Sequence, residues 1–341
     1  MGPQLCVQVV TRVIVCFFLV TTSVSQAIPP RLVHQYQPVT WVENLAVRPN
    51  GNLLPITTTS PLLNQLDPSN GQLQLVHDFS AVGNAIQGIT ALCPDVFVVN
   101  ALTCNITALT CTRGSVSSWL ADFRSPNKGN KGRKCYKTHG PSSPCVDVKQ
   151  IAAFPDAGFL NGIAALDSNT VLMADSLLGG IWRLDVDSGA RTLLFTDPAM
   201  APTATVSTGI NGIRIRPSIL YFTNSALGTF NSIPIDPQSG NKTGPAIVIA
   251  TGFAGPDDFE VDLGCGAAYL ANGALNQLLR VSIANGTSSV IADVPGPTSA
   301  RWARSWGKEQ LYVSTIGGLL QYVTGNVTVG GAVYGFELER H

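Results

Sequence analysis

"GINGIRIRPSILYFTNSALGTF", residues 209–230, reads as a turn, a strand, a second strand ending at Asn224, and another turn. Two asparagines, Asn211 and Asn224, interrupt this otherwise apolar stretch. Nearly the same phrase occurs at residues 159–181 as "FLNGIAALDSNTVLMADSLLGGI". Four further segments align with these two: "WVENLAVRPNGNLLPI" from Trp41, "IQGITALCPDVFVVNA" from Ile86, "PDDFEVDLGCGAAYLANG" from Pro256 and "TSARWARSWGKEQLYVST" from Thr298. Each holds an apolar strand, a turn, and a second strand rich in Val, Leu, Tyr or Phe. Third strands such as "IWRLDV", "SIPIDP" and "LLRVSI" follow, then turn phrases such as "DVDSG" and "DPQSG", then a fourth strand such as "ARTLLF".

Four strands recurring every roughly 40–50 residues are the pattern of a β-propeller blade. The leading polar positions are Glu43, Gln87, Asn161, Asn211, Asp257 and Thr298, spaced by 44, 74, 50, 46 and 41 residues. The sequence therefore predicts an all-β, six-bladed propeller with one insertion. A β-sandwich or a pair of barrels would not produce equally spaced copies of one phrase. The long gap places the insertion in the second blade, at about residues 103–146, with Cys104, Cys111, Cys135 and Cys145 inside it. Its basic run, Lys128 to Lys137, reads as a solvated loop stapled by disulfides.

The 341 residues are 45% hydrophobic and 12% charged, with a formal net charge of zero. This balance gives no electrostatic footprint for nucleic acid or an anionic membrane. Arg12 precedes the apolar run "VIVCFFLV" and then "SQA", the pattern of a signal peptide at residues 1–27, cleaved after Ala27. The run is too short to span a bilayer, so no stable membrane anchor is expected. A single propeller domain is then expected over residues 28–341. Six cysteines remain after cleavage, the four above with Cys93 and Cys265, and no paired CxxC knuckles occur among them. They read as disulfide partners of open connectivity. Sequons at Asn105, Asn241, Asn285 and Asn326 fit a glycoprotein that is secreted or held in the lumen of the secretory pathway.

The innermost strands of a propeller line its axis, so their first residues meet at one end. Glu43, Asn161, Asn211 and Asp257 are thereby expected to face one another. Two carboxylates and two amides form an oxygen-rich set of the kind a hard cation such as Ca²⁺ needs, and the lack of His or Cys argues against zinc. Such carboxylates are costly to bury without a cation, a proton or a ligand. Asn100, Asp175, Asn224 and Asn272 end the second strands of four blades; they either meet a ligand or tie neighbouring blades together. Trp41, Phe159, Phe259 and Trp302 flank the leading positions and are candidates for an apolar floor, or for packing. His34, His77, His139 and His341 all lie outside the repeated inner strands, and no G-x-S-x-G elbow or glycine-rich phosphate loop occurs at a strand–helix junction. A Ser/His/Asp hydrolase is not expected.

At these residues the sequence resembles the calcium-dependent gluconolactonase and regucalcin family of six-bladed propellers. There a Glu on the first blade, an Asn in an N-G phrase and an Asp in a P-D-G phrase bind the metal, and a further Asn contacts substrate. The matching positions are Glu43 in "VENLAV", Asn211 in "INGIRI", Asp257 in "PDDFEVD" and Asn161 in "LNGIAA". Asp258 stands where that family commonly has Gly, which leaves open which aspartate faces the site. "WVENLAVRPNG", "ADSLLGGIWRLDV" and "YFTNSALGTFNSIPI" resemble the secreted fungal branch of the superfamily, which includes hetero-Diels–Alderases of tropolonic sesquiterpenoid biosynthesis. That resemblance implies a pericyclase with hydrophobic small-molecule substrates and no required cofactor. It would join an o-quinone methide to a humulene-type alkene, with Asp257, Glu43, Asn161 and Asn211 as catalytic candidates and Trp41, Phe159, Asp175, Asn224, Phe259 and Trp302 as substrate contacts. The broader resemblance implies instead a Ca²⁺-dependent lactonase with Glu43, Asn211 and Asp257 as metal ligands. A non-catalytic ligand-binding propeller is the third reading.

Overall fold

In a computed structural model, the described residues are 29–124, 145–305, 308–318, 321 and 324–338. They form six four-stranded antiparallel sheets. The innermost strands are Val42–Val47, Ala85–Cys93, Leu160–Ala165, Ile210–Ile215, Pro256–Asp262 and Pro297–Ser305. Each packs on the next, and the sixth packs on the first. The ring is thus closed, and the chain is a six-bladed β-propeller.

Inner strands are buried along nearly their whole length, whereas an outer strand such as Arg191–Thr196 is largely exposed. This gradient explains why the first two segments of each repeat read as continuous apolar runs: both of their faces meet neighbouring blades. The core is six inter-blade clusters, one per interface. In one of them Phe230 and Phe259 meet edge to face with centroids 5.0 Å apart. Between third and fourth strands, Asp67, Asp185 and Asp236 accept backbone N–H groups within their own turns, the local hydrogen bonding that makes Asp a turn former.

The sixth blade is closed by the outermost strand Arg31–Gln35, which pairs with Ala332–Phe336. Both ends of the propeller segment therefore share one sheet. In the second blade, Ser117–Asp122 forms the third strand although it lies within the expected insertion. The extra chain is thus split. One part is a short finger in which Cys104–Asn105 pairs with Thr110–Cys111 and the two cysteines are disulfide-bonded. Cys145 is disulfide-bonded as well, whereas Cys93 and Cys265 are free thiols, contrary to the reading of all six as disulfide partners. The basic run Lys128–Lys137, Cys135, and the expected signal peptide 1–27 lie outside the described residues.

Every inner strand breaks register with its neighbour at or beside the leading polar residue: between Val42 and Asn44, Ile86 and Gly88, Leu160 and Ile163, Ile210 and Ile213, Pro256 and Phe259, and Pro297 and Ser299. A β-bulge re-aims one side chain and bends the strand, and here it recurs six times around one axis. The N-G phrases follow from the same crowding. A Cβ on Gly162 would sit 2.5 Å from the carbonyl oxygen of Asn211 and 2.9 Å from the Ile213 nitrogen. Gly162→Ala is expected to destabilise the fold by about 1–3 kcal/mol, the usual cost of overpacking, read as a lower denaturant midpoint at unchanged slope.

Candidate active site at the mouth of the axis

Five of the six leading side chains form one constellation at the end of the ring where the inner strands begin. Gln87 is its hub: its Nε2 donates to Glu43 Oε1 at 2.8 Å and to Asn161 Oδ1 at 3.4 Å, while its Oε1 accepts from Thr58 Oγ1 at 3.1 Å. The Trp41 indole N–H donates to Glu43 Oε2 at 2.6 Å. Asn211 Nδ2 donates to Ser225 Oγ at 3.0 Å. Thr298 turns to the scaffold, donating to the Val42 carbonyl at 2.7 Å.

Two buried oxygens in this constellation have no hydrogen-bond partner, Oδ1 of Asn211 and Oδ1 of Asp257. Glu43 and Asn211 are buried, whereas Asp257 as a residue is half-buried and reaches the mouth. Burial is the main cause that pushes the Glu43 carboxyl up to about 8; the Trp41 N–H opposes it and the Asp258 charge adds to it. Asp257 is also held well above the carboxylate range, first by burial and then by the charges of Glu43 and Asp258. Both carboxyls are thereby shifted toward the protonated form, burial being the larger cause for each.

A carboxyl whose pKa rises on folding stabilises the fold below its ordinary pKa, and that contribution is lost as pH rises toward the folded value. Stability is expected to fall between pH 5 and 8 by up to about 1.4 kcal/mol per pH unit for one such group. Glu43→Gln is expected to flatten that slope in a series of denaturant melts.

Asp258 faces inward along the axis, so Asp257 is the aspartate at the mouth. Asp258 Oδ2 accepts from Asn44 Nδ2 at 2.6 Å, Arg214 Nη2 at 2.8 Å and Arg301 Nη2 at 2.9 Å. Its Oδ1 accepts the Phe259 N–H at 2.8 Å. These residues form a buried ion layer directly behind the mouth constellation. Sequence reasoning missed Asn44, Arg214 and Arg301, and did not give Gln87 its central role. The signal was present: both arginines stand three residues after a leading position, in "NGIR" and "TSAR".

Several other candidates are placed elsewhere. Asp175 is fully buried and accepts from the backbone N–H groups of Gly158, Phe159, Leu177 and Leu178 and from the Trp182 indole. Asn224 holds the carbonyls of Ala199 and Ala201. Asn100 accepts from Ser118, and Asn272 accepts the Ala254 N–H. All four tie strands and loops together, the second of the two roles left open by the sequence. Phe259 is fully buried in the core between blades four and five, and Phe159 packs on the core between blades two and three. Trp302 lines a cavity at the opposite end of the axis. Of the aromatic candidates only Trp41 touches the mouth constellation.

A groove of about 740 Å³ adjoins the mouth, lined among others by Val39, Thr40, Thr59, Ile106 and Val327. Thr59 Oγ1 accepts the backbone N–H of Trp41 at 3.0 Å, which ties the groove wall to the residue holding Glu43. Val39 adopts φ +70°, a conformation that is strained for a β-branched residue and that tends to persist where function requires it.

Both Glu43 oxygens already accept an N–H bond, and Asp257 Oδ1 and Asn211 Oδ1 are the unpartnered oxygens, so water would have to supply most of the six to eight ligands that Ca²⁺ takes. Two guanidinium groups on Asp258 add positive charge behind them. Among the described residues no group of three or more His, Cys, Asp or Glu is arranged to hold a metal.

The fold is a six-bladed propeller of the kind seen in regucalcin. The calcium-binding protein regucalcin of Agrobacterium tumefaciens superposes with a TM-score of 0.60 at 16% identity, over 92% of this chain and 94% of that one. In sequence, the chain is similar to two fungal proteins. One, from Sarocladium schorii and provisionally assigned as hetero-Diels-Alderase asR5, is 29% identical over 329 residues, covering 83% of this chain and 77% of that one. The other, a provisionally assigned hetero-Diels-Alderase of a Phoma species, is 28% identical over 334 residues, covering 88% and 87%. No family profile matches the chain.

Proposed function

We propose that the protein is a hetero-Diels–Alderase of fungal secondary metabolism, acting in the secretory pathway on hydrophobic small molecules at the mouth of the axis. The observation that carries this reading is the proton-holding pair Glu43 and Asp257 beside the unpartnered oxygen of Asn211. The names of the relatives support the reaction class.

The precursor in this reading is a tropolone or phenol with an adjacent hydroxymethyl group. Its leaving hydroxyl takes a proton from the carboxyl pair and departs as water. The ring hydroxyl returns a proton to the pair, so the carboxyls are regenerated and one water is lost. The resulting o-quinone methide adds across a humulene-type alkene, forming one C–C and one C–O bond with no net proton or electron transfer. Asn161, whose Oδ1 is held by Gln87, has amide N–H donors to offer the carbonyl oxygen. The mouth groove would hold the apolar partner against it. Orienting two reactants in this way is worth up to roughly 7–11 kcal/mol.

Because the acid form does the work, the rate of adduct formation is expected to fall above about pH 8, where Glu43 loses its proton. A pH–rate profile measured with purified protein tests this; a rate that rises through pH 8 would remove the carboxyl pair from the mechanism. The lactonase reading keeps one observation in its favour, the two open oxygens of Asp257 and Asn211. It requires lactone turnover that depends on added Ca²⁺.

The exposed positions of Asn105, Asn241, Asn285 and Asn326 support glycosylation. The Cys104–Cys111 disulfide supports an oxidising compartment. No helix among the described residues is long and apolar enough to cross a membrane. Mobility shifts on glycosidase treatment of secreted material would test the assignment, and an unshifted band would contradict it.

A further inference from the structure

The opposite end of the axis holds a second, partly open cavity. A cavity of about 270 Å³ lies where the inner strands end, and Arg214, Arg216, Arg301, Glu260 and Trp302 supply its functional groups. Its remaining walls are small or apolar, including Ala46, Ile89 and Ile163. The ion layer around Asp258 separates it from the mouth, since Arg214 and Arg301 both line this cavity and bind Asp258. It is therefore distinct from the site proposed above.

Charge is the first argument. The cavity lining itself carries three guanidinium groups and one carboxylate, Glu260, which pairs with Arg216, while Arg214 and Arg301 share the single carboxylate of Asp258 behind it. The second is donor supply. A guanidinium has five N–H donors. Arg216 uses Nη1 on the Ile215 carbonyl at 2.8 Å and Nη2 on Glu260 at 3.0 Å, and its side chain remains 42% exposed. Arg301, by contrast, is committed to the carbonyls of Phe259 and Ala300 and to Asn44 and Asp258. Arg216 is thus held in place by two bonds with donors to spare. The third is shape. Trp302 is fixed by an edge-on contact with Tyr269, centroids 5.4 Å apart and planes at 90°, and presents a half-buried indole to a cavity large enough for one ring.

We infer that this cavity binds a small planar monoanion, an aromatic carboxylate, through Arg216 and the Trp302 indole. A carboxylate matches the fork of a guanidinium, and charge-assisted hydrogen bonds of this kind are about twice as strong as neutral ones. The aromatic ring lies against Trp302 and the apolar wall. Glu260 both positions Arg216 and opposes the ligand's charge. A cation or a neutral polar molecule finds no comparable match.

Benzoate and its neutral isostere benzamide are suitable probes, titrated into the full-length protein while tryptophan fluorescence and binding heat are followed. Benzoate is expected to bind saturably and benzamide at least about tenfold more weakly, the weight of a lost charge-assisted bond. Trp302→Phe assigns the fluorescence change. Arg216→Gln leaves the nearly buried Glu260 without its ion partner, so its folding is checked by a denaturant melt; the folded variant is expected to bind benzoate about tenfold or more weakly. Glu260→Gln is expected to tighten it, which a loss of folding could not mimic. Equal binding of benzoate and benzamide, unchanged benzoate binding in Arg216→Gln, weaker binding in Glu260→Gln, or no saturation with millimolar benzoate would each overturn the assignment.

Discussion

Asp257→Asn is expected to lower the rate of adduct formation by about 10²–10⁴-fold, the range that a positioned acid or base contributes, while leaving the fold intact. The substitution keeps the size and both polar atoms of the side chain but removes the ionisable carboxyl whose pKa burial, and then the Glu43 and Asp258 charges, raise. With no buried carboxyl left to ionise at that position, the thermal midpoint should stay level or rise. Those two readouts separate a chemical role from a structural one. A variant that loses activity and stability together would show that Asp257 holds the mouth in shape. One that keeps full activity would place the chemistry elsewhere.

The second large effect is on stability. Asp258→Ala is expected to cost about 3–5 kcal/mol, because it strips the counter-charge from two guanidinium groups that are nearly buried. Asn44 loses its acceptor in the same step. Asp258→Gly would restore the residue common in the resembling family and still be as destabilising, since Arg214 and Arg301 would remain. Removing the arginines together with Asp258 should recover much of the loss, because an absent ion pair is far cheaper than a broken one. Chemical denaturation of the single and combined variants decides this. A single variant with an unchanged midpoint would mean that water already solvates both arginines.

That ion layer also shows what the sequence could and could not convey. The repeat made the six leading residues legible, because their spacing survives without any knowledge of coordinates, and five of the six meet at the mouth. Facing was harder. Phe259 stands two residues after Asp257, which simple strand alternation puts on the same face, but the register break between Pro256 and Phe259 intervenes and sends Phe259 into the inter-blade core. Trp302 is four residues beyond Thr298, far enough along its strand to line the other end of the axis. Asp175 and Asn224 carry the polar signature of a site, yet their partners are backbone groups of adjacent turns, and such contacts leave no pattern in composition. The closing strand Arg31–Gln35 was invisible for a related reason: it is short and largely exposed, and it gains its identity from a partner some 300 residues away.

At the mouth both oxygens of Glu43 are held by N–H donors, burial raises the pKa of Glu43 and of Asp257, and two arginines bind Asp258 behind them. Asp258 draws Arg214 and Arg301 across the axis of the ring.

What stands or falls first is whether proton-bearing side chains alone suffice for the coupling. The direct test is to remove all divalent ions from the purified protein with excess chelator, then time the joining of a hydroxymethyl tropolone to a humulene-type alkene. An undiminished rate is the expected result; inactivity that only calcium relieves would contradict it.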